Sequence, residues 1–370
     1  MEHAWIAGKP AALDAALAEA AKLLGTSRCP LIAGLGTDVA GARAAIALAQ
    51  RAGAVVDHMD SDALLRDLDV MRSSGVMLTT PGEAHLRADT LLLVGPRLAE
   101  AWPELPERVF GPLRSPGAGA VERHIFWLCP EGEAEILASR GSAAVTFGKQ
   151  AKDLPVLLAA LRARVAGRPT GKVGFSRKVL DEVAVALKAA RFGVAVWSAV
   201  TLDALAIEMM CGLISDLNAK TRFSALPLAV ADNGVGVLQT CGWLTGFPMR
   251  TGFGRHDAVH DPWIFDGRRL VRSGETDCVV WVSAYRALAP EWRESPPTIA
   301  LARRGTAFRA PPRVYIEVGC PGVDHAAVQH LASTGTLASV EATQSSNAIS
   351  VAEALARIAS SLPGKGARPC

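Results

Sequence analysis

Short apolar runs alternating with helical stretches are the strongest constraint in this sequence. Cys29-Pro-Leu-Ile-Ala-Gly34 is a strand ending in glycine, and the Ala-rich stretch Asp38 to Ala52 reads as the helix that follows it, with Asp38 placed to cap its open N–H groups. Strands are expected at Ala54–Asp57, Thr90–Gly95, His124–Cys129 and Ala143–Phe147, with further helices over 10–25 and 99–109. After the loop Ala166-Gly-Arg-Pro-Thr-Gly171 a second series begins. It has helices over 177–190 and 202–218, and strands at 193–198, 222–226, 277–283 and 297–301. Residues 232–274 are Gly-rich with little periodicity and read as a long loop; the tail adds a strand at 313–318 and a helix at 349–361. Strands alternating with helices at this rhythm mean parallel sheets covered on both faces.

The two series resemble each other. Ala88-Asp-Thr-Leu-Leu-Leu-Val-Gly-Pro-Arg-Leu-Ala-Glu-Ala-Trp102 resembles Thr276-Asp-Cys-Val-Val-Trp-Val-Ser-Ala-Tyr-Arg-Ala-Leu-Ala-Pro290, and each is followed by a loop and another short apolar strand. The expected fold class is α/β, with two Rossmann-like parallel-sheet domains facing a cleft. The expected division is a first domain over 1–168, a second over 169–311 with the long Gly-rich loop, and a strand and helix segment over 312–370 packing back on both. A ligand of such a fold belongs beyond the carboxyl ends of the strands.

Composition narrows the function. With 39 Lys+Arg against 36 Asp+Glu the formal charge is +3, and no clustered basic stripe fits a nucleic-acid footprint. Residues 1–10 carry Glu2, His3 and Lys9 and do not form a secretory signal. The most apolar stretch, 192–217, is broken by Asp203, Glu208 and Asp216, so no membrane span is expected. Seven scattered cysteines fit reduced thiols in a cytoplasm.

Chemistry-bearing motifs are scarce. Gly34-Leu-Gly36-Thr-Asp-Val39 starts like a dinucleotide fingerprint, but Val39 stands where the third glycine belongs, leaving a tight strand-to-helix turn. His256 and His260 are four apart in a segment too rich in Gly and Pro for a helix, and no third zinc ligand accompanies them. His325 and His330, five apart, do not share a helix face. There is no P-loop, GxSxG elbow, CxxC or CxxxC. No catalytic, cofactor-binding or metal-binding residue is nominated.

Between residues 230 and 285 an ordered set of motifs resembles the B subunit of formylmethanofuran dehydrogenase, of the molybdopterin oxidoreductases. They are Asp232-Asn-Gly-Val-Gly236, Gly242-Trp-Leu-Thr-Gly-Phe-Pro248, Gly252-Phe253, Asp261-Pro-Trp263 and Gly274-Glu-Thr-Asp277. Thr80-Pro-Gly-Glu-Ala-His-Leu-Arg-Ala-Asp89 and Pro30-Leu-Ile-Ala-Gly-Leu-Gly36 extend the resemblance into the first half. The resemblance implies a [4Fe–4S] cysteine cluster near the start and a metal-ligating cysteine within 57–64. Only Cys29 precedes residue 129, and Asp57-His-Met-Asp-Ser-Asp-Ala-Leu64 holds no cysteine. This pattern resembles the B subunits of formyltransferase/hydrolase complexes of aerobic methylotrophs.

The resemblance therefore implies a truncated, non-catalytic structural subunit without tungstopterin or [4Fe–4S]. Its partners would be an amidohydrolase-like A subunit, a C subunit and a formyltransferase D subunit. The complex moves formyl from formyl-tetrahydromethanopterin to a methanofuran-type carrier and releases formate. Arg250, Arg255, Arg268, Arg269 and Arg272 form the densest basic segment, a candidate contact for the carrier's acidic tail. The alternatives are a redox-active tungsten or molybdenum dehydrogenase subunit and an unrelated two-lobed binding protein.

Overall fold

The computed structural model describes residues 3–105, 107, 123–133, 135, 144–255, 257–294 and 296–362. The chain divides into two compact units. The first comprises Met1–Ser61, Ala231–His330 and Leu337–Cys370, and the second Asp62–Val230 with Leu331–Thr336. The second unit is thus inserted into the first, and the expected divisions at 168/169 and 311/312 are not where the contacts divide.

The first unit is built on a nine-stranded sheet. Five parallel strands form its middle: β4 (Val55–Val56), β3 (Pro30–Gly36), β12 (Cys278–Ser283), β13 (Thr298–Ala302) and β14 (Val314–Glu317), in that spatial order. Antiparallel pairs finish both edges. β10 (Thr251–Arg255) and β11 (Asp257–His260) lie beside β4, while β1 (Ala4–Ile6) and β2 (Lys9–Pro10) lie beside β14. Alternate side chains enter separate cores. Ile32, Val280 and Val282 pack with α1 (Leu13–Thr26), α2 (Val39–Ala52), α9 (Gly234–Thr245) and α11 (Val351–Ser361). Leu31, Val279 and Trp281 meet Leu270 and Val271 of α10 (Gly267–Arg272). Burial on both faces is why these strands read as unbroken apolar runs rather than alternating ones.

The second unit holds five parallel strands in the order β7 (Ala144–Phe147), β6 (His124–Leu128), β5 (Thr90–Val94), β8 (Gly193–Trp197), β9 (Phe223–Pro227). By order of appearance this is 3-2-1-4-5, the doubly wound arrangement of Rossmann halves. Leu92, Val94, Ala195 and Trp197 face a core closed by α6 (Leu154–Val165), α7 (Arg177–Ala189) and α8 (Ala204–Asn218). Leu91, Leu93, Val194 and Val196 face the opposite core with α4 (Pro81–Arg87) and α5 (Leu98–Ala101). α3 (Ser61–Ser74) opens this insertion, and a hairpin of β15 (Ala327–Leu331) and β16 (Thr336–Val340) forms a small separate sheet.

The Gly-Pro loop at 166–171 is a turn between α6 and α7, inside the crossover from β7 to β8. Its punctuation marks a surface connection, not a domain boundary. The segment after 312 does not pack back as an appendage, because β14 is the fifth strand of the first unit's parallel run. The supposed loop 232–274 contains α9, the β10–β11 hairpin and α10. Beyond residue 107, the helix expected over 99–109 lies outside the described residues, as do Ala143 and His256. Among the described residues no helix is long and apolar enough to cross a membrane.

The internal similarity has a structural counterpart. Each matched segment forms the middle strand of its own sheet, β5 in one and β12 in the other. The shared Asp does the same work in both. Asp89 accepts from the backbone N–H of Arg191 (2.9 Å) and Phe192 (3.4 Å), just before β8. Asp277 accepts from Arg28 (2.9 Å), Cys29 (3.1 Å) and the Ser27 hydroxyl, just before β3. Burial alone would raise the Asp277 pKa, but these donors outweigh it and hold the carboxyl below its ordinary value.

In the second unit Asp67 is half-buried and accepts from Trp197 Nε1 at 2.9 Å. Burial raises its pKa to about 6, opposed by the Trp197 bond and by Arg66. A folded value above the unfolded one contributes stability that is complete below about 4 and lost as pH rises through about 6. Asp67→Asn keeps an oxygen for Trp197 without the charge. The variant is expected to gain about 1–3 kcal/mol at pH 8, with the gain vanishing near pH 4. Urea titrations at the two pH values check this.

Candidate functional site

In the first unit the parallel strands run 2-1-3-4-5 by order of appearance, so the connections leave β3 toward opposite sides. The carboxyl ends of β3 and β12 therefore flank a topological switch point, where open α/β sheets place ligands. The residues there come from the turns after β3, β4 and β12 and from the start of α9.

The turn after β3 approaches its neighbour closely. Gly34 has φ +80°, and a Cβ there would lie 2.5 Å from the Val282 carbonyl oxygen. Only glycine accommodates both conditions. Asp38 then caps α2, its Oδ1 accepting from Gly41 N–H at 2.9 Å. The helix N-terminus, where a dinucleotide fold would bind pyrophosphate, thus holds the chain's own buried carboxylate. The expected strand-to-helix turn is what the structure contains.

Buried polar side chains follow β4. His58 Nδ1 accepts from the Asp60 N–H at 3.0 Å, so Nε2 carries the proton of the neutral ring. Nε2 is buried without a hydrogen-bond partner. Burial pulls the imidazole pKa down to about 4, with Asp232 opposing. Burial, then the Asp232 charge, raises the carboxyl of Asp60. Asp57 is pushed up to about 6 by burial against the pull of Arg250, and accepts from Gly267 N–H at 2.8 Å. Arg250 also binds Asp266 at 2.6 Å, so this ionic group joins β4, β10 and the start of α10.

On the other side of the switch point the Asp232 side chain is fully buried and takes a bidentate grip from Arg286, whose Nε lies 3.0 and 2.8 Å from the two carboxylate oxygens. The Arg286 side chain is 52% exposed. Asn233 fastens the start of α9, donating to Thr37 O and accepting from His330 N–H, both at 2.8 Å. Tyr285 donates to Gln329 Oε1 at 2.7 Å. Asp232 and Asn233 both have left-handed backbones, at φ 52° and 60°.

The family's tungstopterin can be tested against these residues, and they do not fit it. A pterin dinucleotide brings a pyrophosphate, yet the cluster presents the Asp38, Asp60 and Asp232 carboxylates and a neutral imidazole. The resemblance implies a thiolate as the protein's metal ligand here. The stretch expected to supply it offers His58 and Met59, and Cys320 is a thiol whose pKa burial raises. Among the described residues no three His, Cys, Asp or Glu side chains are grouped to hold a metal. His260 stacks on Phe247 and meets Arg250 O at 2.9 Å, while His325 meets Ala326 O at 3.0 Å.

The basic segment is largely committed internally. Arg250 serves Asp266, Arg268 approaches Glu291 at 3.4 Å, and Arg269 grips Glu275 at 2.5 and 3.1 Å. The side chain of Arg255 lies outside the described residues. Arg272 lines a cavity of about 370 Å³ with Arg268 and Arg293, opposed by Glu291 and Glu294. The sequence did not single out His58, Asp60, Asp232 or Arg286 individually. The dipeptide Asp232-Asn233, two residue types that tolerate left-handed backbone, was the available signal.

For His58 the folded pKa lies below the unfolded one. Its contribution to stability is complete above about 6.5 and is lost as pH falls through about 4. His58→Asn keeps an acceptor near the Asp60 N–H without a titrating ring. It is expected to remove about 2–3 kcal/mol of the acid sensitivity between pH 6.5 and 4. Unfolding free energies of both proteins across that range check this.

No family profile matches the chain. It is 36% identical over 321 residues to the B subunit of the formyltransferase/hydrolase complex Fhc of Methylorubrum extorquens, spanning 86% of this chain and 85% of that one. It is 28% identical over 282 residues to the B subunit of the tungsten-containing formylmethanofuran dehydrogenase 2 of Methanocaldococcus jannaschii, 73% of this chain but 64% of that one. Among solved structures, a chain of the formyltransferase/hydrolase complex FhcABCD from Methylorubrum extorquens, crystallised with methylofuran, superposes with TM-score 0.86 at 35% identity. The match covers 97% of this chain and 98% of that one. The ordered motifs, the α/β architecture and these likenesses agree: the chain belongs to the family of formyltransferase/hydrolase complex B subunits, related to the B subunit of formylmethanofuran dehydrogenase.

Proposed function

We propose that this chain is the non-catalytic, structural B subunit of a cytoplasmic formyltransferase/hydrolase complex. The complex transfers formyl from formyl-tetrahydromethanopterin to a methanofuran-type carrier and releases formate. The chemistry resides in the partner subunits, a formyltransferase D subunit and an amidohydrolase-like A subunit, with a C subunit completing the assembly. The observation that carries this reading is the set of polar side chains at the switch point. The helix N-terminus there is capped by Asp38, charges pair through Asp232 and Arg286, and the stretch expected to provide a metal-binding cysteine has none. Without a thiolate and a cluster there is neither a metal bond nor an electron path, so neither tungstopterin nor [4Fe–4S] is held.

The likeness at 36% identity across 85% of a complex subunit supports this reading over the dehydrogenase reading, whose representative is covered over only 64% of its length. The test is elemental and pterin analysis of the complex purified with this chain. Tungsten, molybdenum, iron and pterin are expected far below one per chain; stoichiometric amounts would establish the dehydrogenase reading instead. Asp60→Asn, in the same assembled complex, is expected to leave formyl transfer and hydrolysis within about twofold of the unaltered rates. Loss of either activity with assembly intact would make the chain catalytic.

A further inference from the structure

The first unit has a second concave site, at the opposite ends of the strands from the switch point. A cavity of about 460 Å³ opens where the chain enters β13 and β14. Pro296, Pro297 and Thr298 line it at the start of β13, and Pro311, Pro312 and Arg313 line it just before β14. Ala7, in the turn from β1 to β2, closes one side and donates its N–H to Arg313 O at 2.9 Å. The volume is that of a pocket for one small molecule.

Its walls are aromatic and stiff. Trp292 and Phe308 both line the cavity, and both rings are already seated. Trp292 meets Trp281 edge-on with ring centres 5.3 Å apart, and Phe308 meets Tyr315 at 5.6 Å. Behind them Trp281 Nε1 donates to Leu288 O at 2.8 Å, and Tyr315 stacks on Trp5 at 5.1 Å. Rings fixed in advance lose little freedom when a ligand packs against them. The four prolines at the strand starts add rigid apolar surface and bring no N–H groups. Recognition of a polar group therefore falls to side chains.

Those side chains are mainly cationic. Arg293, Arg309 and Arg313 reach the cavity against one carboxylate, Glu294. Arg313 is held by Glu19 at 3.1 Å, and Glu294 accepts from the Arg293 backbone N–H at 3.0 Å. The exposed guanidinium groups of Arg293 and Arg309 have no ion pair among the described residues. A guanidinium meets a carboxylate or phosphate through two parallel N–H bonds and also packs on aromatic rings. We propose that this cavity binds a small ligand made of one aromatic ring and one anionic group. The ring packs against Trp292 and Phe308, and Arg293 and Arg309 hold the carboxylate or phosphate. The assignment is independent of the reading of the chain as a B subunit.

Isothermal titration calorimetry of the full chain tests it, with AMP as an aromatic phosphate and indole-3-acetate as an aromatic carboxylate. Adenosine, indole and inorganic phosphate supply the ring or the anion alone. At least one of the two aromatic anions is expected to bind with Kd of about 1 mM or tighter, and about tenfold or more tighter than its separate parts. The tighter of the two identifies the anionic group. Arg293→Gln, Arg309→Gln and Trp292→Leu are each expected to weaken that binding about fivefold or more. If Trp292→Leu disturbs folding through the loss of its contact with Trp281, the two arginine variants decide. No saturable binding of either anion up to about 10 mM overturns the proposal, as does equal binding of the neutral rings or an affinity unchanged in the arginine variants. Binding to the free chain that disappears on assembly with the A, C and D subunits also overturns it, since the cavity would then belong to a subunit contact.

Discussion

A parallel strand buried on both faces has only its ends for polar groups. β3, β5, β8 and β12 are of this kind, and the molecule's chemistry is accordingly driven to the turns before and after them. At the amino ends Asp89 and Asp277 gather the N–H groups leading into the neighbouring strand. At the carboxyl ends of the first unit, short polar turns carry every group that a ligand would otherwise meet. Sheet burial stabilises the fold, and the loops inherit the task of satisfying charges that burial makes expensive.

In the first unit that task is carried out internally. Asp38 occupies the end of α2, Arg286 neutralises Asp232, and Asn233 ties the start of α9 to the turn after β3 and to His330. Most donors and acceptors at the switch point are given to one another, while the buried Nε2 of His58 has no hydrogen-bond partner. Two consecutive left-handed residues at Asp232 and Asn233 show that local backbone strain is tolerated to keep these partners in place.

The strand rhythm was legible in the sequence because apolar runs and flanking turns are local. The core strands of both sheets lie within a residue or two of where the runs placed them, and the two segments matched as an internal duplication became the two middle strands. The division into units was not legible, since insertion of 62–230 depends on β12 pairing with β3, a contact far apart in sequence. Glycine misled as well. Gly234, Gly236 and Gly242 suggested a loop, yet they belong to α9, which Val237 and Cys241 anchor in the core; tertiary burial overrides low helix propensity. The start of α4 is also readable in the sequence. Thr80-Pro-Gly-Glu83 is a capping box with proline in the first turn, and Thr80 does cap Glu83 N–H at 3.1 Å. Of the switch-point residues, Asp38 was legible as a cap, while the Asp232–Arg286 pair depends on a fold-dependent encounter between distant segments.

Insertion of one unit within the other also sets a timetable for synthesis. The ribosome delivers β3 and β4 early, but the strand that must lie beside β3 emerges only after the whole second unit has been made. During that interval the second unit's continuous chain has all five of its strands, whereas the first unit's opening strands have an unfilled apolar edge. A nascent chain of this kind is most vulnerable to sticking through its earliest residues, and shielding of that edge until residue 283 emerges is the step on which its productive folding turns.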